Sequence, residues 1–108
     1  MIITTQNHID GRRCKVIAPV MGNTVRTKHV GRDIVAGFKS ILGGEIEEYS
    51  RMMAEARAQA LDRLKGKAQV LKADAVVGLR FTTSAIMAGA SEILAYGTAV
   101  RFEDGASG

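Results

Sequence analysis

The 108 residues include one cysteine, one proline, no tryptophan and only five aromatic side chains. Each shortage removes a class of protein. A lone Cys14 has no partner, so no intrachain disulfide framework exists and an export compartment is not indicated. No apolar run approaches the roughly 18–20 residues that span a bilayer. The first residues, Met1-Ile2-Ile3-Thr4-Thr5, lack the basic-then-apolar order of a secretory signal. The expectation is a cytoplasmic protein with no membrane partner. Against these absences, 46% of residues are apolar and 24% charged, ordinary for one globular domain and unlike a disordered or low-complexity chain. No internal repeat is present. The domain is expected over residues 1–103, with a short polar tail at 104–108.

The net charge of +4 raises a nucleic-acid reading, and its distribution argues against it. Residues 1–40 hold seven Lys or Arg against two acids, residues 41–73 six against five, and residues 74–108 two against four. The basic third contains one aromatic residue, Phe38. It therefore lacks the stacking platforms of single-strand binders, and no helical or ribbon motif of a duplex reader is visible. No nucleic-acid partner is expected.

Periodicity divides the chain into strands, a short helix, a long helix and a hairpin, an α+β order. Residues 1–5 read as a short strand, and Asn7–Gly11 ends in the turn dipeptide Asp-Gly. Arg12 to Arg26 reads as an extended edge strand, or two strands with a bend, because Pro19 lacks a ladder donor and Gly22-Asn23 is a turn signal. Its even positions, Cys14, Val16, Ala18 and Val20, are all apolar. Asp33 caps a short helix whose face is Ile34, Phe38, Ile41 and Leu42, ended by Gly43-Gly44. Glu45 to Ala73 is a long helix. Ile46, Tyr49, Met53, Ala56, Ala60, Leu64, Ala68 and Leu71 recur at three- and four-residue steps. Glutamates open it and lysines close it, as the helix dipole favours. Ala75–Met87 and Glu92–Phe102 form a hairpin about the turn Ala88–Ser91. Strict alternation places Val77, Leu79, Phe81, Thr83, Ala85 and Met87 on one face of the first strand, and Val76, Gly78, Arg80, Thr82, Ser84 and Ile86 on the other.

One helix covers one face of a small sheet, yet both faces of this hairpin are apolar or small, with Arg80 and Arg101 its only basic residues. An uncovered apolar face marks an interface, so the chain is expected to self-associate.

Catalytic and metal motifs are sparse. His8, His29, Cys14 and methionines 1, 21, 52, 53 and 87 are the soft or nitrogenous ligands, and none stands at the paired spacing of a zinc site. Cys14 and Met21 suit copper(I), but seven residues on a regular strand place them on opposite faces. Met52, Met53 and Met87 read as core fillers. Cys14, on an apolar strand face, reads as a buried small hydrophobe. Thr82-Thr83-Ser84 has no nucleophile elbow or base. Gly43-Gly44 precedes three glutamates that would repel a phosphate. Glu45 and Glu48 share a helix face and read as dipole partners or a cation face. No enzyme activity and no cofactor are expected.

Beyond periodicity, the runs Gly31-Arg32-Asp33-Ile34 and Ile41-Leu42-Gly43-Gly44-Glu45-Ile46-Glu47-Glu48-Tyr49 resemble the YbjQ-like family, often labelled heavy-metal-binding proteins. So do Glu55-Ala56-Arg57, Ala73–Gly78, Arg80-Phe81, Thr83-Ser84 and Glu92–Val100. The resemblance covers residues 1–103. Two departures fall at the long helix's C-terminal end: Gly66–Val70 lacks the acidic residue usual before the alanine, and Lys72 stands where glycine is usual. The resemblance implies a small antiparallel sheet packed on one long helix, similar in fold to a dodecin subunit and assembled as a ring pentamer. It also implies a role for Arg32, Asp33, Glu45, Glu48, Tyr49 and Arg57 in subunit contacts or in binding a small ligand or ion. The alternative it carries is heavy-metal binding, with a heavy metal ion as cargo. Dodecins hold flavin by aromatic stacking, and this chain has no tryptophan for that sandwich.

Overall fold

The computed structural model describes the backbone of residues 1–27 and 44–103, and the side chains of 1–27 and 47–103. The expected short helix at 33–42 and the tail at 104–108 lie outside the described residues. The elements are β1 (Ile2–Ile3), β2 (Cys14–Thr27), α1 (Gly44–Val70), β3 (Ala75–Met87) and β4 (Ala90–Phe102). They form a four-stranded sheet in the order β1-β3-β4-β2 with α1 on one face. The α+β class stands as expected. The sheet, however, is mixed rather than antiparallel, because the two-residue β1 runs parallel to β3.

The helix forms where the apolar stripe predicts it. Ala56, Ala60, Leu64 and Ala68 are fully buried, at the four-residue step that repeats on one helix face. They pack on Val20 of β2, Val76 and Leu79 of β3, and Ile93, Ala95 and Ala99 of β4. The small side chains permit a very close approach. A Cβ at Gly22 would collide with the Ala60 carbonyl oxygen and the Leu64 amide, and would stand 2.9 Å from Leu64 Cα. Gly22-Asn23 is therefore no turn; β2 runs through it, and glycine is there because the helix backbone occupies the space of a side chain. The expected edge position holds, in one strand rather than two.

The helix stops at Val70 rather than Ala73. Lys72 takes a left-handed conformation (φ 58°), the Ala73 amide donates to the Ala68 carbonyl (3.0 Å) and the Lys72 amide to the Gln69 carbonyl (2.9 Å). That paired pattern satisfies the last carbonyls of a helix and ordinarily has glycine at the left-handed residue. Arg101 of β4 completes the end by donating to the carbonyls of Leu71 (3.1 Å) and Lys72 (3.4 Å).

Three register shifts overturn the strict alternation expected of β3 and β2, at Gly78 and between Ala85 and Met87 in β3 and once in β2. Gly78 (φ 64°) sits in a register shift between Val77 and Arg80, an extra residue that reverses the side-chain parity. Val76 and Leu79 thus share the helix-facing core, while Ala75 and Val77 face away from it. The shift in β2 lies between Val16 and Ala18. Cys14 and Val16 fall on the face away from α1, and Val20 on the helix face. β4 has no such interruption, and its alternation is as expected.

The face away from the helix carries a small core of its own. Ala75, Val77 and Val100 are buried there, with Ile9, Cys14 and Phe102 packed against them. A turn folds the preceding chain onto this patch: the Arg12 amide donates to the Ile9 carbonyl (3.1 Å), with Gly11 at φ 74°. This is the expected Asp-Gly turn. The Arg12 guanidinium stacks over the Phe102 ring at 4.7 Å.

Candidate functional site

The residues that the resemblance singles out do not converge among the described residues. Arg32 and Asp33 lie outside the described residues, as does the Glu45 side chain. Glu45 itself belongs to the first turn of α1. Glu48, Tyr49 and Arg57 are all exposed on α1. Nine residues separate Glu48 from Arg57, about 13 Å of rise and half a turn out of phase, so they project from opposite sides of the helix.

Their place follows from how α1 lies on β2. Thr24 is buried and its hydroxyl donates to Gln59 Oε1 (2.6 Å), which also accepts from the Arg26 guanidinium (2.9 Å). Further along, Arg63 donates to the Asn23 carbonyl (2.6 Å). The helix thus runs antiparallel to β2, with residue 59 above residue 24. Among the described residues, three strand positions follow Thr24, about 10 Å, whereas Tyr49 is about 15 Å along the helix from Gln59. The first turns of α1 overhang the end of the sheet, which is why residues 47–51 are exposed. The Thr24–Gln59–Arg26 joint was not anticipated from sequence, where Gln59 is simply a polar residue beside the apolar stripe. It leaves the Arg26 Nε buried with no acceptor among the described residues.

The metal ligands are dispersed. No group of three His, Cys, Asp or Glu is close enough to share an ion among the described residues. His8 and Asp10 approach to 3.6 Å with both side chains exposed, beside an open depression of about 320 Å³ lined by Ile2, Thr4, Gln6 and Ile9. Cys14 is half-buried at the border of the small second core rather than fully buried as expected. The bulge corrects its relation to Met21: Cys14 pairs with Phe102 and Met21 with Tyr96, both on the face away from α1. Six residues of β4 separate those partners, about 20 Å, so the two sulfurs cannot hold one ion in a single subunit. Met53 fills the core edge, but Met87, at the hairpin tip, is 67% exposed because α1 lies over β2 and β4 and leaves the far half of β3 uncovered.

That uncovered surface is the most distinctive feature of the molecule. On the sheet face away from α1, Val16, Met21, Val25 and Tyr96 are between 40% and 66% exposed, and Phe81, Ile86 and Met87 are open on the outer half of β3. A second apolar groove of about 380 Å³ lies between the helix end and β2, lined by Pro19, Val20, Met21, Lys67, Val70 and Leu71.

The fold is a small α+β domain with one helix on a mixed four-stranded sheet and open apolar surfaces. The family described as "Putative heavy-metal-binding" (YbjQ) matches residues 1–103, and the chain belongs to it. Among its relatives, a UPF0145 protein of Archaeoglobus fulgidus is 58% identical over 94% of this chain and 94% of its own length. One from Photobacterium profundum is 59% identical over 94% of this chain and 99% of its own. These names denote an uncharacterised family. A crystal structure from Pediococcus pentosaceus, of a protein with unknown function in the DUF74 family, shares the fold with a TM-score of 0.71 at 20% identity, covering 95% of this chain and 98% of that one. No helix of the described residues is long and apolar enough to cross a membrane.

Proposed function

We propose that this chain is the non-enzymatic subunit of a closed homo-oligomer, with five copies, that binds a small ligand or ion where subunits meet. The observation that supports the reading is the exposed apolar row Val16, Met21, Val25 and Tyr96 on the sheet face that α1 does not cover. Apolar side chains left exposed on one sheet face, here on either side of the Asn23–Glu92 hydrogen bond, suit an interaction site. The first turns of α1, to which Glu45, Glu48 and Tyr49 belong, overhang the end of the sheet among the described residues and suit a contact with a neighbour. The number five comes from the family resemblance. Light scattering coupled to size exclusion is expected to give about five times 11.5 kDa; a stable monomer refutes the assembly, and another multiple replaces the number.

Metal binding is the second reading, favoured by the family description and by the shared face of Cys14 and Met21. Their separation requires donors from more than one subunit. Titration of the purified oligomer with copper(I), zinc and cadmium is the test, and no binding tighter than about 10 μM, some −7 kcal/mol, removes it.

A further inference from the structure

Among the described residues, both edges of the sheet are open. β1 pairs only with Ala75 and Val76, and the last bonds on that side run from the Gly78 amide to the Gln6 carbonyl (2.7 Å) and from the Leu79 amide to the Thr4 carbonyl (3.0 Å). Arg80 closes the end of β1 by donating to the carbonyls of Thr5 and Leu79. Past it, no strand pairs with the outer side of Phe81–Met87 among the described residues. With Leu79 turned outward, alternation turns the backbone groups of Phe81, Thr83 and Ala85 to the same open side. Natural sheets guard such an edge with lysine, proline or brevity, yet residues 81–87 hold no charge and no proline. At the opposite side, β2 is the other edge, and the Arg63 bond to the Asn23 carbonyl (2.6 Å) marks that carbonyl as turned away from β4.

We propose that the β3 edge of one copy pairs with the β2 edge of the next, Phe81–Met87 alongside Gly22–Thr27, head to tail. The inference rests on the self-association proposed above and names its contact. Three features of the chain select this partner. Across β4, Phe81 stands level with Ala95 and Gly22, Thr83 with Ile93 and Thr24, and Met87 with Ala90 and Thr27. A rotation about an axis along the strands preserves level, so these edges meet without slip, and a repeated heterologous contact of this kind can close into a ring. Two antiparallel steps also leave β2 and β3 running the same way, so the new pair is parallel. The outward groups of Phe81 then fall between those of Met21 and Asn23, whose carbonyl retains a lone pair beside Arg63. Finally, β2 belongs to the third of the chain with five excess basic charges and β3 to the third with two excess acids. Head-to-tail contact joins opposite signs, whereas pairing β3 with β3 joins like ones. With the helices outside, the ring turns Met21, Val25 and Tyr96 inward.

A disulfide tests the contact. In a Cys14→Ser background, Ser84→Cys and Val25→Cys would face each other across the parallel pair at about 4.8 Å between Cα atoms, inside the roughly 4.4–6.8 Å that a disulfide bridges. Within one copy they flank Glu92, two strand spacings or about 10 Å apart, so any bridge reports neighbouring copies. Oxidation is expected to yield covalent multiples of 11.5 kDa on a denaturing gel, and neither single cysteine to do so. An oligomer that stays uncrosslinked overturns this contact and leaves self-association standing. A covalent dimer from Ser84→Cys alone overturns it in favour of β3 with β3, and a monomeric wild type removes both readings. Should the triple variant fail to fold, Thr83→Pro deletes an outward amide and spares the β4 ladder. That variant is expected to be folded and dissociated, and a folded Thr83→Pro oligomer overturns the proposal.

Discussion

Lys72 stands where glycine would be at home, and Gly22 where only glycine fits. Lys72 holds φ 58° at the helix stop, where a side chain crowds the following carbonyl at a cost of about 1 kcal/mol. Lys72→Gly is expected to raise the unfolding free energy by about that much, offset by the few tenths that glycine adds to unfolded-chain freedom. Urea unfolding at fixed concentration measures it, and a lowered stability would mean that the lysine side chain contributes more than its backbone strain. Gly22 is the converse case, since helix backbone cannot yield as a flexible side chain does. Gly22→Ala is expected to cost about 3 kcal/mol or more. At Gly66, where nothing lies within 4 Å of an added Cβ, the same change should stabilise α1 by roughly 0.5–1 kcal/mol.

At the scale of elements, what periodicity could reveal depended on whether the backbone stayed regular. The stripe Ala56, Ala60, Leu64 and Ala68 was legible because α1 is unbroken over the sheet. Tyr49 belongs to the same stripe but overruns the sheet, Leu71 falls past the helix stop at Val70, and no single-helix pattern tells where its support ends. β4 alternates as read. β3 does not, because Gly78 inserts one residue, and period-two reading carries that error as far as Ala85, after which a further shift before Met87 reverses it. The candidate site was less legible than the fold: its six residues came from resemblance, and those described lie exposed on different sides of α1. The bulge gives a sharp pair of substitutions. Val77 is 7% exposed beneath Ile9 and Cys14, although it faces away from the helix, and Ile86 is 52% exposed. Val77→Glu buries an unpaired carboxylate and is expected to unfold the chain, at a cost of several kcal/mol. Ile86→Glu should keep the wild-type circular dichroism and alter only the size-exclusion volume. Normal folding of the first, or unfolding of the second, would reverse the assignment of buried and open surface.

At the scale of the molecule, the chain extends over 60 × 22 × 16 Å with a Cα radius of gyration of 18.0 Å, against about 13 Å for a compact domain of this length. A long hairpin and a long helix that share only part of their lengths leave apolar surface at both ends, and a second copy is the economical way to cover it. If the folded state is the assembly, its stability must depend on protein concentration, because unfolding also releases subunits. For five subunits a tenfold dilution removes four-fifths of RT ln 10 per chain, about 1.1 kcal/mol. In a domain of about this size that lowers the melting temperature by roughly 4–9 °C. Calorimetry across a hundredfold concentration range is therefore expected to show a steady downward shift on dilution, and Ile86→Glu to flatten it. A melting temperature independent of concentration would mean that the elongated subunit holds its shape alone, and that its exposed β3 edge and apolar face are kept for something other than a copy of itself.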